Sequence, residues 1–168
     1  MSNVSRHQVD SSRFSKWKAW QSRHEIEGLH FPGVYALAIS RTGLAGKDFA
    51  WPREIVYFGM TNAISGLKGR LKQFNNTLSG KFGHGGAERF RYDFPLANEL
   101  FSQLYVAVCP FKCDVRSGSP TDLFVMGSVV KAEYECLAQF AELFGHLPKY
   151  NDKKNAPKLG KCVLTNDG

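Results

Sequence analysis

An α+β fold, a mixed α/β arrangement with a small antiparallel sheet of about three strands flanked by helices, is what this sequence predicts. Three observations lead there. Residues 33–40 and 54–59 are apolar, β-branched and aromatic runs joined by a loop that holds Gly43, Gly46 and Pro52. They read as a hairpin with a long connection. A third such run, residues 101–109, reads as another strand, and Ser119-Pro120 then opens a long stretch of helical periodicity.

Taken in order, residues 1–12 are polar and are expected to fray. Phe14, Trp17 and Trp20 recur at helical spacing, with Arg13, Lys16, Lys18 and Arg23 on other faces. This predicts a short basic amphipathic helix, ended by His30-Phe31-Pro32-Gly33. Leu67 to Leu78 has helical spacing and carries Lys68, Arg70 and Lys72. A Gly-rich stretch from Gly80 to Gly86, with His84 inside it, interrupts that helix. The long helix has Ser119 as its N-cap, Pro120 at its first position and Asp122 near the positive end of its dipole. Gly145 fits its C-cap, Pro148 prevents resumption, and Gly127 is a point where it could break. The organisation expected is an N-terminal extension over 1–30, one domain over 31–152 and a polar tail over 153–168.

At 168 residues the chain is long enough for one domain with a real core. Its net charge of +7 suits a polyanionic partner, because positive potential concentrates phosphates. No apolar run is long enough to cross a bilayer, and the first residues have no signal-like apolar core. Four cysteines are few for a disulfide scaffold, so an intracellular, cytoplasmic setting without membrane attachment is expected. Cys109 and Cys113 lack a matching second pair for zinc.

Glu133 is the first residue that points to chemistry. On a helix it shares a stripe with Met126, Val129, Val130, Cys136, Leu137 and Phe140. A carboxylate there needs compensation by a salt bridge, a metal or a proton. Glu135 points to the polar face. Tyr35 shares a strand face with Leu37 and Ile39, and Tyr57 with Ile55 and Gly59, so antiparallel pairing would set both phenols on one side. The flanking Gly33 and Gly59 permit close approach of backbone or ligand.

The ordered set Gly33-Val34-Tyr35, Tyr57-Phe58-Gly59, Arg70, Glu133 and Asn151 resembles the GIY-YIG nuclease family. Arg70 lies on the helix after the second motif. Glu133 sits in Ala132-Glu133-Tyr134-Glu135-Cys136-Leu137, and Asn151 closes Leu147-Pro148-Lys149-Tyr150-Asn151. The resemblance covers about residues 31–152. It implies a divalent-metal-dependent DNA endonuclease that hydrolyses phosphodiester bonds. One Mg²⁺ (or Mn²⁺) would be held chiefly by Glu133, with Glu135 as the alternative. Tyr35 would be the general base with Tyr57 close by. A nearby cation or metal would have to depress its pKa. Arg70 would contact the scissile phosphate, with Lys68 and Lys72 adding nucleic-acid contacts. Asn151 would position the metal–water shell or cap local backbone.

One position departs from the family's pattern. Many members carry a histidine or tyrosine one turn after the arginine, where Phe74 stands here. His84, in a flexible glycine loop, could replace it by reaching the nucleophile or a phosphate oxygen. DNA specificity would come from the chain's own loops, a homodimer or a larger host complex. Phe74 favours the alternative of a catalytically weak nucleic-acid-binding module that retains the fold. A third reading is an unrelated basic domain in which Glu133 is merely salt-bridged.

Overall fold

The computed structural model describes residues 9–158. Expectations that concern residues 1–8, residues 159–168 or Cys162 lie outside them. The central element is β2 (Gly33–Ile39), in which all residues but the last are buried. A strand with cover on both faces reads as a continuous apolar run, which is how Gly-Val-Tyr-Ala-Leu-Ala-Ile reads. β2 pairs antiparallel with β3 (Ile55–Thr61) on one side and β4 (Leu104–Pro110) on the other. Residues 101–103, expected to begin that last strand, precede it; Phe101 ends a short helix.

The sheet has four strands rather than three, in the order β1-β4-β2-β3. The addition is β1 (Lys18–Ala19), which pairs with Val106 and Tyr105 at the outer edge of β4. It lies where the basic amphipathic helix was expected. Residues 11–25 instead form a 3₁₀ turn, β1 and a second 3₁₀ segment over Trp20–Glu25. A spacing of three fits a helical stripe, but along an extended chain it puts two residues on opposite faces. Trp17 enters the core on one side of the sheet and Trp20 the core on the other. The Ser15 hydroxyl and N–H both bond the backbone of Val108, which fixes the segment to β4.

Helix α1 (Gly66–Leu78) and α2 (Gly85–Asp93) cover one face, and α3 (Ala97–Phe101) leads into β4. Tyr35, Leu37, Leu67, Leu71, Phe74 and Phe90 fill the layer beneath them. Helix α4 (Pro120–Phe144) covers the opposite face and packs against β3 and β2. There Val34, Ala36 and Ala38 meet Val129, Cys136 and Phe140. Its ends follow local chemistry: the Ser119 side chain accepts from the Asp122 N–H, and Gly145 sits in the left-handed region at φ 78°. Gly127 does not break the helix. No helix among the described residues is long and apolar enough to cross a membrane.

After α4 the chain turns back along β3, the edge strand. The Tyr150 N–H donates to the Val56 carbonyl at 2.9 Å. The Asn151 amide accepts from the Phe58 N–H and donates to the Phe58 carbonyl, both at 2.8 Å. These bonds satisfy an edge that would otherwise offer unpaired backbone groups.

Candidate active site

Residue Tyr35 in β2 and Tyr57 in β3 lie on the same face of the sheet, with ring centroids 6.0 Å apart. Their closeness depends on two irregularities. The first is a bulge between Leu37 and Ala38 in the β2–β3 register, so that Leu37 pairs with Tyr57 but Ala38 with Ile55. One extra residue on β3 breaks the alternation. Ile55 therefore joins the α4 side and does not share a face with Tyr57, as strict alternation had suggested. The second is Gly59, which pairs with Tyr35. A Cβ on Gly59 would stand 2.5 Å from the Tyr35 hydroxyl and ring carbon. Only glycine lets this ring lie across the neighbouring strand.

Gly59→Ala is therefore expected to destabilise the protein by about 1–3 kcal/mol through overpacking. Gly118→Ala, where nothing stands within 4 Å, should stay within about 0.5 kcal/mol. Urea melts of the two variants check this; equal stabilities would contradict the close contact.

His84 is neither in a flexible loop nor a solvated turn residue. It is 1% exposed and is the N-cap of α2. Its Nδ1 accepts the Ala87 N–H at 3.3 Å, and its Nε2 lies 3.1 Å from the Tyr35 hydroxyl. An acceptor Nδ1 leaves the proton of a neutral ring on Nε2. The imidazole thus donates to the Tyr35 oxygen. Phe74 packs edge-on against the His84 ring at 4.9 Å and takes no polar part. Gly86 serves packing: a Cβ there would stand 2.7 Å from the Tyr57 hydroxyl.

Burial, with help from the Arg70 charge, pulls the His84 pKa down to about 4. The unfolded chain takes up this proton below about 6.5 and the folded chain only below about 4, so folding stability falls with pH across that window. The loss is on the order of 3 kcal/mol near pH 4. His84→Asn keeps a capping acceptor without the titration. Its stability measured against pH should lack this part of the acid decline; a decline matching the wild type would contradict the buried neutral ring.

The two tyrosines differ in access. Tyr35 is fully buried, and burial raises its pKa well above the ordinary phenol value, with a charge on Tyr57 raising it further. Tyr57 is only part-buried. Burial raises its pKa also, opposed by Arg70 and Arg89 and reinforced by Glu133. The contact between the hydroxyls favours the proton on Tyr35 and the charge on Tyr57. Of the groups nearby, Arg70 pulls down on both phenols, and burial outweighs it.

Arg70 stands on α1 with one terminal nitrogen donating to the Gln73 side chain at 3.0 Å. Its Nε is buried without a partner among the described residues, and the guanidinium acts on the Tyr35 hydroxyl. Lys68 and Lys72, two residues to either side, are exposed on the far side of the helix. The structure does not bring them to the Arg70 face.

Glu133 is half-buried on the flank of a stripe narrower than expected, made of Val129, Cys136 and Phe140, with Val130 turned out to solvent. Burial raises its pKa, while Arg70 and Lys153 pull it down. Among the described residues no hydrogen bond acts on the carboxylate. Glu135 instead pairs with Lys131 at 3.4 Å and lines a pocket beside Arg13, Cys109 and Cys136, on the other face of the sheet. The described residues gather no group of three or more His, Cys, Asp and Glu side chains for a metal. One carboxylate with waters is nonetheless a donor set that Mg²⁺ accepts. Glu133 fits that part, while Glu135 is engaged by Lys131.

Asn151 takes the second of the roles expected for it. Both ends of its amide are engaged by Phe58, so it caps backbone. Sequence reasoning missed Arg89, whose charge acts on Tyr57, and Lys153, whose charge acts on Glu133. No local pattern marks either one. No protein-family model, curated protein or solved structure matches this chain.

Proposed function

We propose that this chain is a Mg²⁺- or Mn²⁺-dependent endonuclease that hydrolyses DNA phosphodiester bonds. The observation that carries the reading is one grouping: the part-exposed Tyr57, the Arg70 guanidinium and the Glu133 carboxylate, coupled through their charges. Each answers a need of the reaction. Arg70 is always charged and holds the scissile phosphate. Tyr57, the less buried phenol, accepts as its phenolate the proton of the attacking water. Tyr35 lies behind it and its O–H stabilises the phenolate form of Tyr57 from which that transfer starts, while His84 holds Tyr35 in place from the buried side. Glu133 is the residue that would hold the divalent ion, which when bound supplies charge neutralisation at the phosphate and the leaving oxygen. This moves the general base from Tyr35 to Tyr57, because a fully buried phenol cannot meet water.

One observation favours a second reading, a binding module with little activity: burial raises the pKa of both phenols, and a phenol accepts a proton only as phenolate, a form that a raised pKa makes scarce at neutral pH. The two readings separate in one assay. Supercoiled plasmid, branched DNA and RNA are incubated with the protein in Mg²⁺ or in EDTA. The nuclease reading expects nicked or linear DNA in Mg²⁺ alone. Tight binding to each without any cleavage would replace it with the module.

A further inference from the structure

The segment from Tyr150 to Lys158 runs from the sheet edge to the start of α2 and is held along its length. The Tyr150 ring stacks on Phe90 at 3.9 Å, and its hydroxyl donates to Asp93 at 2.7 Å. Asn151 clamps Phe58. Ala156 is buried and its carbonyl accepts from Arg89 Nε at 3.1 Å, while another Arg89 nitrogen donates to the Gly85 carbonyl at 3.0 Å. Asp152 turns inward on the segment, accepting from the Lys154 and Asn155 N–H groups and from the Asn155 amide. The strap is therefore ordered, and its one acid is engaged by its own backbone.

Three exposed lysines lie along it, Lys153, Lys154 and Lys158, and two of them are placed against the site. Lys153 is close enough to Glu133 for its charge to act on that carboxylate. The Lys158 ammonium lies over the first turn of α2, 2.9 Å from where a Cβ on Gly85 would be, next to the Gly86 on which Tyr57 rests. Neither pairs with an Asp or Glu among the described residues. With Arg70 and Arg89 they set four cations around Tyr57 and Glu133. Such a concentration repels itself unless an anion with several charges fills it. Lys158 follows Lys153 by five positions, so their Cα atoms stand no more than about 18 Å apart. Phosphates of one strand of a duplex advance about 3.4 Å each along the axis. The strap can thus span at most about five of them.

We infer that the strap is a polynucleotide-backbone clamp, with Lys153 and Lys158 contacting phosphates on either side of the one presented to Arg70. This rests on the nuclease reading only for the identity of that central phosphate. It makes the substrate a strand with phosphates on both sides of the reacting one, not a mononucleotide.

The test is binding without chemistry. A fluorescently labelled DNA duplex is titrated with protein in EDTA at several salt concentrations. The wild type is compared with the double variant Lys153→Gln/Lys158→Gln and with a control, Lys47→Gln/Lys112→Gln, elsewhere on the surface. Each lost phosphate contact lowers the slope of log affinity against log salt by about 0.9. The strap variant should be shallower by about 1.8 and weaker at every salt, with the control nearly unchanged. An unchanged slope, or an equal loss in the control, overturns the clamp even if the wild type cleaves DNA. The expected slope change in a protein that does not cleave would uphold the clamp and remove the nuclease reading.

Discussion

Tyr57→Phe is expected to lower the rate of DNA cleavage by two to four orders of magnitude, about what a general base contributes. DNA affinity should hardly move. The substitution removes one oxygen and keeps the ring, which packs at 6.1 Å from both Phe74 and Phe90, so the fold should persist. Tyr35→Phe should behave differently. It removes the hydroxyl that favours charge on Tyr57, so the Tyr57 pKa rises and the ascending limb of the pH–rate profile moves to higher pH. The rate at neutral pH falls, by about tenfold per unit of that shift, and recovers as the pH is raised. His84→Asn should shift the profile in the same direction, since it keeps the cap on α2 and withdraws the donor to Tyr35. If Tyr35→Phe instead abolishes cleavage at every pH while Tyr57→Phe is mild, the buried phenol is the base and the assignment is reversed.

The second large effect is at Glu133. Glu133→Ala should lose metal-dependent cleavage to the detection limit, by about three orders of magnitude or more, since the reaction would lose its charge-neutralising ion. Binding to DNA in EDTA should stay equal or strengthen, because a negative charge leaves a site built around Arg70 and Lys153. Arg70→Ala should weaken both cleavage and binding, and should flatten the salt dependence by about one contact. Equal cleavage by Glu133→Ala and the wild type would take the metal away from this carboxylate. Glu135 could not then replace it without leaving Lys131.

The parts of this molecule that sequence made legible are those set by local chemistry. Helix α4 is readable because Ser119, Pro120 and Gly145 act on their own backbone. The β2–β3 pair is readable because strand alternation and the two Tyr/Gly motifs act at short range. What could not be read was decided by contacts distant in sequence. Phe14, Trp17 and Trp20 suit a helix by spacing, but Val106 and Tyr105 of β4 offered an edge, and two large rings could fill both faces only from an extended chain. Helix α2 opens with a histidine cap and two glycines, none of which is a usual helix signal. Its reason lies elsewhere: His84 meets Tyr35, and Gly86 makes room for Tyr57. The bulge that turns Ile55 away from Tyr57 leaves no mark in composition. Arg89, Lys153 and Lys158 reach the site only because the chain after α4 folds back along β3.

Nicking of supercoiled plasmid is the measurement that tests the central claim most directly. The wild type, Tyr57→Phe and Glu133→Ala are assayed side by side in Mg²⁺, with the wild type repeated in EDTA. Cleavage by the wild type in Mg²⁺ alone, lost in both variants, is the predicted result. Cleavage that persists in EDTA or in Glu133→Ala at the wild-type rate would contradict a metal-dependent nuclease site at Tyr57, Arg70 and Glu133.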